Sequence, residues 1–302
     1  MRIGVDLGGT KAECVVLGSR GETLWRGRVP TPRNDYDATV AAVRDLVLKA
    51  ESETGLSCTV GVGIPGSLIR STGLTQNSNL TWINRRPFGA DLSEALDRTV
   101  HVANDANCFA LSEAVDGAAA GHRSVFGVII GTGCGGGLVY DGRIVDGPNG
   151  TGGEWGHIPL PWPKPEEFPG PSCWCGRPSC MEVWVAGPAL ERDHADVTGE
   201  RLKAPEIYAR RDDDPTCRAS LDRHIDRLGR GIALIIDIFD PDIIVLGGGL
   251  SNMQHLYREL PAAAAPFINT PDPVVNVVPP KFGDSSGVRG AAWLWDESPE
   301  PA

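Results

Sequence analysis

The chain has 302 residues, with 28 Lys and Arg against 39 Asp and Glu, a net charge of −11. Apolar residues at 41% and charged residues at 22% exclude a disordered chain, and the length allows one large or two ordinary domains. The acidic balance excludes a broad basic footprint for nucleic acid or an anionic membrane, and the 38 glycines cluster without a three-residue period, which excludes collagen and favours turns or ligand-cradling loops.

From Met1 the sequence enters the strand-like Arg2-Ile3-Gly4-Val5 without an apolar signal segment, so a cytoplasmic protein is expected. A glycine turn over 6–11 leads into β-branched runs at 14–17 and 23–29. Tyr36, Val40, Val43, Val47 and Ala50 then share one helical face, predicting a helix over 35–54 stopped by Gly55. A strand follows at 59–64, closed by Pro65-Gly66, then an Asn- and Thr-rich loop, a short helix at 91–98 and a strand at 100–102. Asn104 or Asp105 can cap a helix running to about 120. The second half repeats the opening, with an apolar strand at 125–130, a glycine turn over 131–137 and a return strand at 138–140. Between Pro148 and Pro178 the chain is rich in Pro and Gly and needs its own organiser. Leu221, Ile225, Leu228, Ile232, Ile235 and Phe239 mark a long helix, most simply a core stripe. A buried strand at 243–246 ends in Gly247-Gly248-Gly249, and helices near 252–265 and 288–295 follow. Interleaved strands and helices predict an α/β class with two related domains, 1–120 and 121–302. The second carries an insertion at about 148–182, and the last helix packs back on the first. The most apolar stretch, 232–246, is interrupted by Asp237, Asp240 and Asp242 and does not read as a membrane span.

Three glycine turns end strands. Asp6-Leu7-Gly8-Gly9-Thr10-Lys11 offers close backbone approach to a phosphate, with a hydroxyl and an ammonium beside it. It has neither the P-loop spacing nor the dinucleotide fingerprint, and alone it reads equally as a hairpin. Gly131-Thr132-Gly133 and Gly247-Gly248-Gly249 are the second and third, and together the three point to a nucleotide site. Among eight cysteines, Cys173, Cys175 and Cys180 are bunched and His157 precedes them; in a reducing compartment a closed Cys₃His set suits structural zinc and would organise the insertion. Asn104-Asp105 stands at a strand-to-helix junction, where Asp105 either faces a ligand or only caps the helix. A glycosidase reading of the carboxylates leaves the glycine turns without a role.

These turns and the His/Cys cluster resemble the ROK family of sugar kinases, repressors and open reading frames over essentially 1–295. The resemblance implies a two-domain actin/hexokinase-like ATPase fold of ribonuclease-H-like domains with an inter-domain cleft, ATP and Mg²⁺ as well as structural Zn²⁺, and a homodimer. It implies nucleotide contacts at Asp6, Gly8, Gly9, Thr10, Lys11, Gly131, Thr132, Gly133, Gly247, Gly248 and Gly249, and metal ligands at His157, Cys173, Cys175 and Cys180. Asp105 is implied as general base, and Gly66, Asn79, Asn104, Asp105, Glu154, His157 and Glu182 as hexose ligands. Asn79-Leu80-Thr81-Trp82 and the segment 157–162 are most similar to fructokinases of the manno(fructo)kinase type, so D-fructose is the expected substrate. An N-acetylglucosamine kinase, glucokinase or mannokinase is the alternative. A sugar-responsive repressor is disfavoured, because Asp6 leaves no room for a preceding DNA-binding segment. The family usually has Gly where this chain has Ser179, and a positive φ there would cost Ser more than Gly.

Overall fold

The computed structural model describes residues 1–295. Packing divides the chain into two units, one made of 1–123, 137–153 and the segment from 284 onward, the other of 124–136 and 154–283. The division differs from the expected boundary at 120/121: residues 137–153 and the last helix belong with the first unit, and the expected insertion is cut at 153/154. Of the expected second domain, 296–302 lie outside the described residues.

The first unit opens with β1 (Arg2–Leu7), β2 (Lys11–Leu17), β3 (Thr23–Pro30) and α1 (Tyr36–Thr54). Asp35 caps α1 by accepting from Ala38 N, and Gly55, at φ 67°, ends it in the left-handed region. The buried face of α1 is Tyr36, Thr39, Val43, Leu46, Val47 and Ala50. After it come β4 (Thr59–Ile64), β5 (Ser67–Leu68), β6 (Thr75–Gln76), α2 (Phe88–Ala95), β7 (Val100–Asn104) and α3 (Asp105–Val115). The helix expected at 91–98 thus starts earlier, and the one expected to reach 120 stops at Val115. The sheet order is β3-β2-β1-β4-β7, with β1 antiparallel to β2 and parallel to β4, and β4 parallel to β7. Ile3, Val5, Val43, Val47, Val60, Val62 and Phe88 belong to its core.

The chain continues through β8 (Ser124–Ile130), β9 (Cys134–Tyr140), β10 (Arg143–Ile144), α4 (Glu182–Val185), α5 (Gly187–Thr198), α6 (Ala204–Ala209), α7 (Pro215–Phe239), β11 (Ile243–Gly247), α8 (His255–Ala264), β12 (Val277–Val278) and α9 (Ser286–Trp293). In the second unit β11 runs parallel to both β8 and β12, with Ile244 opposite Phe126 and Val277. Helix α7 starts at Pro215 behind an Asp214 cap and buries Leu221, Ile225, Leu228, Ile232 and Ile235. Helices α5 and α6, absent from the sequence reading, pack against α7. Helix α9 packs on β1 and β4 in the first unit; a Cβ on Gly4 would stand 2.0 Å from Val288 O and one on Gly61 1.9 Å from Ala291 O, so both strand positions must be glycine. No helix among the described residues is long and apolar enough to cross a membrane.

Candidate active site

In the first unit, β1 carries Asp6 towards the turn before β2. Gly8 N donates to Lys11 O at 3.0 Å and Thr31 Oγ1 to Gly8 O at 2.8 Å, which fixes the turn, while Gly9, Thr10 and Lys11 are exposed. Burial, reinforced by the Glu13 charge and opposed by Lys11, pushes the Asp6 carboxyl up to about 6.

The junction between β7 and α3 shows which residue caps the helix. Asn104 Oδ1 accepts from Ala106 N at 2.9 Å and from Asn107 N at 3.1 Å. Asn104 Nδ2 donates to Gly66 O at 2.9 Å and to Asp105 Oδ1 at 3.1 Å. Asn104 is the cap, and Asp105 is the first helical residue and half-buried, its Oδ1 also accepting from Ala106 N at 2.8 Å. Gly66, at φ 87°, approaches the loop after β6, where a Cβ would stand 2.4 Å from Gln76 O and 2.7 Å from Ser78 N. That loop carries Asn79, which is exposed between the buried Ser78 and Leu80. Gly66, Asn104, Asp105 and the Asn79 loop are thus brought together in one unit.

In the second unit, Gly131 N donates to Gly133 O at 2.9 Å, and Gly131 O accepts from Gly187 N at 2.8 Å. The turn is tighter than expected, because β9 already begins at Cys134. Gly247 is the buried last residue of β11. Gly248 has φ 77°, and a Cβ there would lie 2.5 Å from Ile130 O, which joins the second and third turns. Thr132 and Gly249 are exposed.

The donor atoms of His157, Cys173, Cys175 and Cys180 all lie within 4.8 Å of one another. Cys173 Sγ stands 3.6 Å from His157 Nδ1, and Cys175 Sγ 3.6 Å from Cys180 Sγ. Tetrahedral zinc with its usual bond lengths separates such donors by about 3.5–3.8 Å, so the set fits the ion, and all eight cysteines are free thiols. Pairings at Pro159–Cys180 and Ser172–Pro178 fold the loop around the cluster. Ser179 adopts φ 62°, the conformation that favours glycine. Its Oγ accepts from Trp184 Nε1 at 3.1 Å, and a Cβ on Gly170 would stand 2.6 Å from that oxygen, so glycine is needed at 170 to make room for serine at 179.

Glu182 follows the cluster. Its Oε2 accepts from Cys134 N at 3.0 Å and its Oε1 from Trp174 Nε1 at 2.7 Å. Glu154 is exposed, just ahead of the short 3-10 turn Trp155–His157, and His157 N donates to its carbonyl at 3.2 Å.

Several buried contacts of the insertion were not evident in the sequence. Glu167, in the insertion, accepts from Arg227 Nε at 2.9 Å and from Arg230 Nη1 and Nη2 at 2.8 Å each. Burial opposes its charge, but hydrogen bonds from Arg230, the Lys164 N–H and Arg227 outweigh that and hold the carboxyl at about 2. Only the arginines' presence on the α7 face could have signalled this, and helical periodicity reads them as an ordinary polar face. The tryptophans behind the fructose expectation are engaged elsewhere: Trp82 Nε1 donates to Thr39 Oγ1 at 3.0 Å, and Trp162 packs on Phe267 at 5.3 Å between centroids. Trp293 is buried and Trp295 stacks on His101.

The ROK family model matches residues 2–298. N-acetyl-D-glucosamine kinases of Pectobacterium atrosepticum and Photobacterium profundum are 39% and 40% identical to the chain; each alignment covers 97% of it, and 98% and 99% of the relative. Among solved structures, the ROK hexokinase from Thermus thermophilus matches with TM-score 0.85 and 32% identity over 96% of both chains. A ROK family glucokinase from Streptomyces griseus, in complex with glucose and AMPPNP, matches with TM-score 0.79 and 27% identity over 97% of this chain and 98% of that one. Family model, full-length relatives and α/β architecture agree: the chain belongs to the ROK family and has its actin/hexokinase-like ATPase fold.

Proposed function

We propose that the protein is a cytoplasmic, homodimeric kinase that transfers the γ-phosphoryl group of ATP to a hexose, with N-acetyl-D-glucosamine as the preferred acceptor. The observation that supports sugar phosphorylation most strongly is the β7–α3 junction, where Asn104 takes over capping and binds Gly66 and Asp105. Asp105 then accepts the proton of the acceptor hydroxyl, whose oxygen attacks the γ-phosphorus as ADP leaves. Asn79, Asn104, Glu154, His157 and Glu182 accept or donate hydrogen bonds to the remaining hydroxyls. Asp6, Gly8, Gly9, Thr10 and Lys11 in the turn over 6–11 are proposed nucleotide contacts, as are Gly131, Thr132, Gly133, Gly247, Gly248 and Gly249. Bound Mg²⁺ neutralises phosphate charge, and the raised carboxyl of Asp6 is the acid suited to face it. Zinc on His157, Cys173, Cys175 and Cys180 cross-links the insertion, and its closed ligand set gives it no part in the chemistry.

The substrate reading departs from D-fructose. It rests on relatives at 38–40% identity named N-acetyl-D-glucosamine kinase. Coupled ADP release with ATP and a panel of N-acetyl-D-glucosamine, glucose, mannose and fructose tests it. The expected result is turnover with the highest kcat/KM on N-acetyl-D-glucosamine; turnover of no sugar would overturn the kinase reading. Light scattering that gives the mass of a monomer would remove the dimer.

A further inference from the structure

Trp174 is the most exposed tryptophan that also makes a short side-chain hydrogen bond. Its side chain is 70% exposed, so it buries little apolar surface and contributes little to the fold. Yet its indole N–H is held 2.7 Å from Glu182 Oε1, and its ring stands edge-on to His157 at 5.0 Å and 84°. An exposed indole could donate to water at equal energy, so the bond adds little stability. What it does is fix a carboxylate.

We infer that Trp174 is a positioning residue for the sugar-binding carboxylate Glu182, an inference that rests on the hexose kinase reading. The plane of Glu182 is set by Trp174 Nε1 on Oε1 and Cys134 N on Oε2, with the Cys173 thiol a longer third donor to Oε1 at 3.9 Å. Each oxygen keeps acceptor capacity for a sugar hydroxyl, and the direction in which it accepts is decided before the sugar arrives. The donor itself is anchored on both sides, because Trp174 lies between Cys173 and Cys175, two of the four residues grouped to hold a metal. A metal held by those thiolates would order the backbone that carries the indole. The insertion so acts on the sugar by a second route besides the His157 ring, through an indole to a carboxylate.

The test uses full-length protein and Trp174→Phe, which keeps an aromatic ring of comparable character and removes the N–H. Holding one rotamer-rich side chain in place on binding costs enough to change affinity by about 2- to 10-fold. Trp174→Phe should raise the KM and the calorimetric Kd for N-acetyl-D-glucosamine by about that factor, while the KM for ATP, the zinc content and the melting temperature stay as in wild type. Trp174→Gln, which offers an N–H again, should recover part of the loss. In a Glu182→Gln background, Trp174→Phe should add nothing, since the group it orients has lost its charge. A merely structural Trp174 would instead lower zinc content and melting temperature and shift both KM values. An unchanged sugar Kd in Trp174→Phe, or full additivity with Glu182→Gln, overturns the inference while the kinase reading stands. A wild-type protein that neither binds nor phosphorylates a sugar overturns both.

Discussion

Asp105 and Glu182 reach their places by different means. Asp105 stands where a strand becomes a helix; its backbone is fixed by β7 pairing with β4 and by the Asn104 cap, so secondary structure does the positioning. Glu182 opens the one-turn helix α4 after a loop with almost no regular structure, and its carboxylate is held by Cys134 N and by the Trp174 indole, beside the thiol and histidine cluster. The first arrangement is robust because each backbone bond is one of many. The second rests on a few individual side-chain contacts, so the loss of one is not made up by many others.

The largest expected effect falls on the first region. Asp105→Asn keeps the size and shape of the side chain and removes the base, so kcat should drop by about 10²–10⁴-fold with sugar affinity largely retained. Stopped or steady-state ADP release checks it, and a rate within a few-fold of wild type would make Asp105 merely the first residue of its helix.

Next comes the buried ion-pair cluster of the insertion. Glu167→Ala removes the carboxylate shared by the fully buried Arg230 and the nearly buried Arg227, which keep Asp226 and Asp193 as partners, so the cost should stay below the ~3–5 kcal/mol of a fully broken buried pair. Urea unfolding should show that loss, with reduced zinc retention. The same pair predicts acid sensitivity. The folded-state pKa of Glu167 lies at about 2, below its ordinary 4.5. Its contribution is therefore present above 4.5 and is lost as the pH falls towards 2, and Glu167→Gln should flatten that part of the stability profile.

Asp6 provides a contrast of opposite sign within the first unit. Its carboxyl is raised from 3.8 to about 6, so the folded chain keeps a proton that the unfolded chain has released. Stability falls as the pH rises through that window and the full cost, up to about 3 kcal/mol, is present above it. Asp6→Asn should accordingly be more stable than wild type at pH 8 and equal to it near pH 3, while phosphoryl transfer is lost. Equal stability at both pH values would show that the buried charge is not strained.

The smallest effect sharpens the account of the loop. Ser179→Gly relieves a left-handed serine, worth about 1 kcal/mol, and loses the hydrogen bond from Trp184, worth about the same. The two should nearly cancel in the melting temperature. Ser179→Ala loses the bond and keeps the strain, and should be the less stable of the two variants.

What the sequence made legible follows the same division. The face of α1 and its Gly55 stop, the stripe of α7 and the strand before each glycine turn were readable, because periodicity and stop signals are local. The four metal-binding candidates were readable from residue chemistry alone. The roles of Glu167, Arg227 and Arg230 were not, since a buried ion pair and a solvated charge look alike in sequence, and helices α5 and α6 are held by packing on α7. The choice between caps at Asn104 and Asp105 needed hydrogen-bond geometry. The fructose expectation leaned on the similarity of the segments 79–82 and 157–162, a likeness that does not by itself fix which hydroxyls a pocket accepts.

The central claim, a hexose kinase that prefers the N-acetylated sugar, is tested most directly by competition. N-acetyl-D-glucosamine and D-fructose at equal concentration, with limiting ATP and Mg²⁺, compete in the ratio of their kcat/KM values, and mass spectrometry of the sugar phosphates reads that ratio in one tube. The account predicts that N-acetyl-D-glucosamine phosphate dominates the product; a product dominated by fructose phosphate would contradict it.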